Sequence, residues 1–401
     1  MDNSSAEIME QNTALIKAAE TTVSTSLKES IHFTSMERLT GPGGDSILYR
    51  CMSTSASEPT TSFMIKKSPK SLLSVEHLST EQGMRFLNDW VGAEFLASLH
   101  PDNGISPTFY GGDREQGFFI LEDLGEHHNL VNPLLQGDRV NAENGLLKYY
   151  SALGALHAMT AGKASVFEAM FSARFPGQQP FAEELLGIVE RIQKVHELLD
   201  QLGIPANKEM VDEIKEVIDA VSRPGPFLAY IHADPCPDNL FDMGDQYRFI
   251  DFEWGHFGHA LLDAVYPRML WPSCWCANRL PDEIITQMES NYRAKLIEGC
   301  PEAQEDAVWE LSLAQMCAMT LLNRLAWDLE PALQEDRKRG IASIRQRTLA
   351  QLESFMKTSE SFHKLPALCG IASQVYSLLQ ARWVDTVPLP LYPAFSQTSA
   401  G

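Results

Sequence analysis

No stretch of this 401-residue chain stays apolar for the roughly 20 residues that a membrane-spanning helix takes, and no apolar segment follows a basic start. A membrane span and a secretory leader are therefore not expected. Positive charge is scarce as well: 32 basic residues against 53 acidic ones leave a formal charge of −21. A surface of that sign repels nucleic acid and anionic lipid, and it is compatible with a cationic small molecule. Cysteine is sparse and odd in number, seven residues without a regular spacing. That pattern argues for thiols in a reducing, cytoplasmic setting and against a disulfide framework. Internal repeats are missing too. What is present is an ordinary apolar content of 44%, enough for a sizeable core in one large domain or two lobes.

The texture changes along the chain. Residues 1–29 are polar, with helical apolar spacing at Ile8, Leu15, Ile16 and Ala19, and read as an N-terminal arm or surface helix. Residues 30–125 carry short apolar strands between Gly, Pro and Ser clusters, with one helix among them. In residues 126–385 long helical patterns take over, at Tyr149–Met159, Ala182–Leu202, Lys208–Val221 and Glu310–Leu329. The tail, residues 386–401, contains Pro388, Pro390 and Pro393 and reads as irregular. The expected class is α+β, a small β-rich lobe followed by a larger helical one.

One segment of the helical part carries a concentrated chemical signal. Phe227–Ile231 reads as a buried strand running into His232-Ala233-Asp234-Pro235-Cys236-Pro237-Asp238-Asn239. Tyr247–Ile250 reads as a second strand that delivers Asp251-Phe252-Glu253, and Asp242-Met243-Gly244-Asp245 supplies turn chemistry, so the two strands are expected to form a hairpin. Asp and Asn are common in turns, which is the bland reading. A carboxylate five residues before an Asn can instead approach an acceptor hydroxyl while the Asn oxygen holds a divalent metal, with a second Asp completing the metal site. Asp234 is thus the catalytic candidate, and Asn239 and Asp251 are the metal candidates.

The segment resembles the catalytic region of the aminoglycoside phosphotransferase and choline kinase family, whose loop reads H-G-D-x-x-x-x-N and is followed about a dozen residues later by I-D-F/W-E. The resemblance implies a bilobal protein-kinase-like fold, ATP with magnesium, and transfer to a small-molecule hydroxyl. Three departures stand out: Ala233 replaces the usual Gly, Pro235 an apolar residue, and Cys236-Pro237 the frequent His-x.

A phosphoryl-transfer enzyme also needs grips on the nucleotide. The turn Gly41-Pro42-Gly43-Gly44-Asp45-Ser46 lets backbone amides approach phosphate oxygens, with Gly43, Gly44 and Ser46 as the contacts, although it lacks G-x-G-x-x-G and also reads as a plain hairpin turn. In Ser62-Phe63-Met64-Ile65-Lys66-Lys67, period-two alternation sets Lys66 opposite Phe63 and Ile65, which nominates it as the phosphate-pairing lysine over an edge-protecting one. Glu94, beside the helical stripe of Val91, Phe95, Leu96 and Leu99, is its expected carboxylate partner, ahead of Glu81 at the polar start of that region. Glu122 and Leu124, where a buried strand breaks, are nominated as backbone contributors to the adenine. His157 lies in an apolar helical run and reads as a core buttress. The resemblance gives Asp263 the role of bracing the catalytic loop.

Other readings compete with this one. Cys274-x-Cys276 with Cys236 and His256 or His259 is a weak zinc pattern, since no matching pair exists elsewhere. The Trp-rich segment around Cys274 is the better candidate for an acceptor-pocket wall. Acidic residues Glu183, Glu184, Asp212 and Glu213 permit an amine-bearing acceptor and equally describe a solvated helix face. A kinase-fold binding protein without turnover, and nucleotidyl transfer on the same fold, are the rival functions.

Overall fold

The computed structural model describes residues 9, 12–39, 46–54, 61–70, 72, 78–99, 104–126, 129–180, 182, 187–244 and 247–396. Two compact units divide the chain. The first comprises Met1–His127, Ser165–Phe181 and Arg248–Trp254, and the second comprises His128–Ala164, Ala182–Tyr247 and Gly255–Gly401. The glycine turn from Gly41 through Gly43 and Gly44 to Asp45 lies outside the described residues, as do Glu183 and Glu184.

The first unit is built on an antiparallel sheet of five strands: β1 (His32–Leu39), β2 (Ile47–Thr54), β3 (Thr61–Lys67), β4 (Phe109–Asp113) and β5 (Phe118–Glu122). Their order is β1-β2-β3-β5-β4. Alternation decides which face each side chain takes. Phe63 and Ile65 of β3, with Phe118 and Ile120 of β5, face the N-terminal helix α1 (Thr13–Leu27), whose Leu15, Ile16, Ala19 and Val23 join the same core. The first apolar stripe of the chain is therefore a covering layer for the sheet, and Glu20 of α1 accepts from the Phe33 N–H at 2.8 Å.

The opposite face carries Lys66 and, paired with it across the ladder, Phe119. Helix α2 (Glu81–Leu99) closes this side, with ring centroids 5.4 Å apart for Phe86–Phe119 and 5.7 Å for Trp90–Phe119. Such close approach requires Gly112, where a Cβ would sit 2.3 Å from the Trp90 ring. The helix Ala164–Arg174 adds Phe167, stacked edge-on to Phe95 at 5.4 Å, and the residue that follows it, Phe175, meets Trp90 at 5.5 Å.

Helices dominate the second unit. Arg139–Thr160 lies against Asp282–Leu296, and Gly154 allows it, because a Cβ there would come within 2.5 Å of the Tyr292 carbonyl oxygen. The 29-residue helix Asp306–Gln334 runs through the core, buried at Leu313, Met316, Met319 and Leu329 among others. Side-chain caps mark several starts: Asp138 accepts from Asn141, Asn207 from Met210, and Ser343 forms a capping box with Gln346. The helix expected from Ala182 begins at Ile188, with Gly187 at φ +68° as its N-cap, and Ala182 itself is not helical. Asp212 is bridged by Lys208 and Lys215, and Glu213 accepts the Ala367 and Leu368 N–H groups at the start of the helix Pro366–Arg382. Glu213 thus caps another helix, while Asp212 lies on a solvated helix face.

The expected hairpin is not what forms around the motif. Leu228–Ile231 pairs antiparallel with His256–His259, not with the strand at Tyr247–Phe249. Chain order favours the nearer partner, but Ala229, Tyr230 and Ile231 are all buried, and the strand that covers them arrives after Glu253. The α+β composition holds: a β-rich unit and a mainly helical one. Among the described residues no helix is long and apolar enough to cross a membrane.

Candidate active site

In the first unit a charged cluster gathers around Lys66. Its ammonium lies 2.6 Å from Asp89 and 2.5 Å from Asp251. Asp89 also accepts the Phe252 N–H at 2.9 Å, so one buried carboxylate ties β3, α2 and the Asp251 segment together. Two residues past Asp251, Glu253 is paired with Arg85, whose guanidinium covers the Trp254 ring at 4.4 Å. Asp89 is 3% exposed and Asp251 36%, which makes Asp251 the open member of the pair.

Carboxylates outnumber cations here: Asp89, Asp251 and Glu253, with Glu81 at the rim, gather around Lys66 and Arg85. Burial works against the Lys66 ammonium, but Asp251, Asp89 and Glu253 outweigh it and hold its pKa above the ordinary lysine value. Burial raises Asp89 despite the pull of Lys66. Burial and then the charge of Asp251 push Glu253 up to about 7, against Lys66 and Arg85. Asp251 itself has φ +66°, a left-handed conformation that Asp tolerates better than most residues.

Glu94 is not the partner of Lys66. It pairs with Arg174, whose Nε lies 3.0 Å away. Asp89 and Glu94 are five positions apart, about 140° around a helix, so only one of them can face β3. The sequence signal for Asp89 was its place inside the apolar stripe, between Phe86 and Trp90. Of the other nucleotide candidates, Ser46 sits at the bend before β2, and Leu124 is buried. Glu122 ends β5 with its N–H already given to the Thr108 oxygen, and its side chain is held by Thr108 and Arg248.

In the second unit the loop after Leu228–Ile231 is held at several points. Asp263 accepts the His232 N–H at 2.7 Å and the Ala233 N–H at 2.9 Å, and His157 lies 3.2 Å from the same carboxylate while its other ring nitrogen meets the Tyr292 hydroxyl at 2.6 Å. Tyr266 donates to the Ala233 oxygen and Tyr149 to the Pro235 oxygen. Burial first, then nearby acidic groups, hold both phenols well above the ordinary tyrosine range, so they stay neutral donors. Ala233, at φ +61°, occupies a backbone region that disfavours any Cβ by about 1–2 kcal/mol. The bonds from its N–H and to its carbonyl offset that strain.

Replacing Asp263 with Ala is expected to destabilise the chain by roughly 3 kcal/mol, because the buried His232 N–H and the part-buried Ala233 N–H each lose an acceptor at about 1–3 kcal/mol apiece. Urea unfolding measures it; a loss below about 1 kcal/mol would show that the loop does not hang on this carboxylate.

Asp234 itself is half-buried. Ser273 donates to its Oδ1 at 2.6 Å, and the Asn239 amide nitrogen lies 2.9 Å from its main-chain oxygen and 3.3 Å from Oδ2. That amide, turned so that nitrogen meets Asp234, keeps its oxygen for another partner. Trp275, an exposed aromatic, donates to Asp238 at 2.8 Å. Ser273 was not singled out in the sequence; it lies 39 residues from Asp234, and nothing local announces the contact.

Cys236 is joined to Cys274 by a disulfide, against the expectation of free thiols. The other five cysteines are free. Joined sulfurs offer no thiolates, so although Asp234, Cys236 and Cys274 bring ligand atoms within 4.8 Å of one another, they do not make the zinc site considered above. Closing a loop of 38 residues stabilises the fold by about 4 kcal/mol in the chain-entropy account.

No family model and no curated protein matches the sequence. Among solved structures the chain is similar to kinases of small molecules. A choline/ethanolamine kinase family protein from Mesorhizobium loti is 15% identical, with 83% of this chain and 92% of that one covered and a TM-score of 0.46. A choline kinase from Cryptosporidium parvum is 14% identical, covering 87% and 90% at a TM-score of 0.44. The ADP-bound aminoglycoside phosphotransferase APH(2'')-Ib is 13% identical, covering 86% and 95% at a TM-score of 0.42.

Proposed function

We propose that this chain is an ATP-dependent kinase that transfers a phosphoryl group to a hydroxyl of a small metabolite or antibiotic, with an amine-bearing acceptor compatible with the acidic surface. The observation that carries the reading is Asp234: a half-buried carboxylate oriented by Ser273 and Asn239 on a loop braced through Asp263. A carboxylate so placed can take the proton of an acceptor hydroxyl as the oxygen attacks.

The donor sets fit magnesium. Asp251 is the more exposed carboxylate of a cluster in which acids outnumber bases, and Asn239 has an amide oxygen not engaged with Asp234; both offer the hard oxygen atoms that magnesium prefers. In this reading Asn239 and Asp251 hold the ion, which would neutralise charge on the nucleotide phosphates. Lys66, fixed by Asp89, positions those phosphates, helped by backbone amides of Gly43 and Gly44 and by Ser46. The Glu122 carbonyl and Leu124 backbone meet the adenine. Little covalent work is asked of the protein, and orientation and charge supply most of the rate.

Incubation with ATP, magnesium and a panel of hydroxylated amines, sugars and amino alcohols tests this. Acceptor-dependent ADP release should appear and should vanish when EDTA removes the metal. Mass spectrometry of the product distinguishes an added phosphate from an added nucleotide. Undetectable ATP binding together with no turnover on any acceptor would leave a binding protein in place of an enzyme.

A further inference from the structure

We propose that the Cys236–Cys274 disulfide is a reversible redox site that controls Asp234, opened by a dithiol and closed by a low-molecular-weight disulfide; it rests on the reading of Asp234 as the acceptor-orienting group. The bond joins the two segments that make this carboxylate's surroundings. Cys236 lies two residues after Asp234, and Cys274 directly follows Ser273, the donor to Asp234 Oδ1. The Cys236 sulfur is 3.1 Å from that same oxygen and 3.4 Å from the Ser273 hydroxyl.

In the disulfide Cys236 carries no proton, and Ser273 donates to Oδ1. Opening the bond changes this at once. Two electrons and two protons pass from the dithiol, which becomes a disulfide, and Cys236 and Cys274 become thiols. The new Cys236 S–H faces an oxygen already occupied by Ser273, so two donors compete for one acceptor site.

Both sides of the tether keep hydrogen bonds of their own. Buried Arg347 donates to the carbonyl oxygens of Pro272 and Cys274, and these bonds survive reduction. The loop that carries Asp234 keeps its bonds to Asp263, Tyr266 and Tyr149 but loses its covalent tether at Cys236, so the freedom gained is local, at Cys236 and the residues beside it. Both sulfurs are covered, but Ser273 and Trp275, on either side of Cys274, are exposed and mark the side of entry for a thiolate.

The test uses the full chain purified without reductant. Dithiothreitol under native conditions is followed by alkylation and peptide mapping, by hydrogen exchange over residues 233–239, and by acceptor-dependent turnover; oxidised glutathione then restores the bond. The expected result is alkylation of Cys236 and Cys274 only after reduction, faster exchange in that loop, and a fall in kcat of at least about tenfold with the KM for ATP unchanged, as misplacement of a reacting group produces. Reoxidation should restore all three. The double variant Cys236→Ala/Cys274→Ala should no longer respond to dithiothreitol, and a response that persists would assign it to the other five cysteines and overturn the proposal. So would thiols at both positions that oxidised glutathione leaves unjoined, a bond that opens only when the chain unfolds, or a bond that opens without altering exchange or turnover. Reversible opening with altered exchange, in a chain that phosphorylates no acceptor in either state, would sink the kinase reading and leave the redox site standing.

Discussion

Asp234→Asn is expected to lower turnover by about 10²–10⁴-fold, the contribution of a positioned general base, while ATP affinity stays within about twofold. Asparagine preserves the shape of the side chain and can still accept from Ser273, so the loop keeps its bracing through Asp263, Tyr266 and Tyr149. What is lost is the negative charge that attracts the acceptor's proton. An unchanged KM with a fallen kcat is the signature of a group that acts in the transition state rather than in binding. Steady-state kinetics with calorimetric ATP titration provides both numbers. Should kcat survive, Asp234 would be a turn residue like many others, and the reacting hydroxyl would have to be sought elsewhere.

How far the sequence exposed this site follows from the range of each signal. Asp234, Asn239 and Asp251 stand out in the sequence because their spacing is local, and their proposed roles await the kinetics. The face taken by Lys66 was equally legible, since alternation along β3 fixes it once Phe63 and Ile65 are assigned to the core. Its partner was not. Helix α2 is buried on nearly every side from Phe86 to Leu96, so the apolar stripe that usually orients a helix is too wide to choose between Asp89 and Glu94. The α1 stripe was read correctly as helical, yet nothing in it says that a sheet will cover it. The disulfide and Ser273 depend on where the chain returns after 38 or 39 residues, and no pattern near Cys236 encodes that path. The expected pairing of Leu228–Ile231 with the strand at Tyr247 failed for the same reason: a nearer strand with turn chemistry looked sufficient, and the partner that forms, His256–His259, comes later in the chain.

Lys66→Met should destabilise the chain by about 3–5 kcal/mol, because it strands the buried Asp89 carboxylate without its cation. The same substitution should weaken ATP binding by about 10–100-fold, the worth of one charge-assisted hydrogen bond to phosphate. The two effects have different origins and can be separated. Asp89 does two jobs, pairing with Lys66 and accepting the Phe252 N–H. Asparagine at this position keeps the second while removing the charge. The double variant Lys66→Met/Asp89→Asn should therefore recover most of the lost stability and none of the nucleotide affinity. Denaturant unfolding of the wild type, the single variant and the double variant, with ATP titrations on each, completes the comparison. A single variant as stable as the wild type would mean that Asp89 is not a buried charge in need of Lys66. A double variant that regains ATP affinity would mean that Lys66 only balances Asp89 and never meets a phosphate.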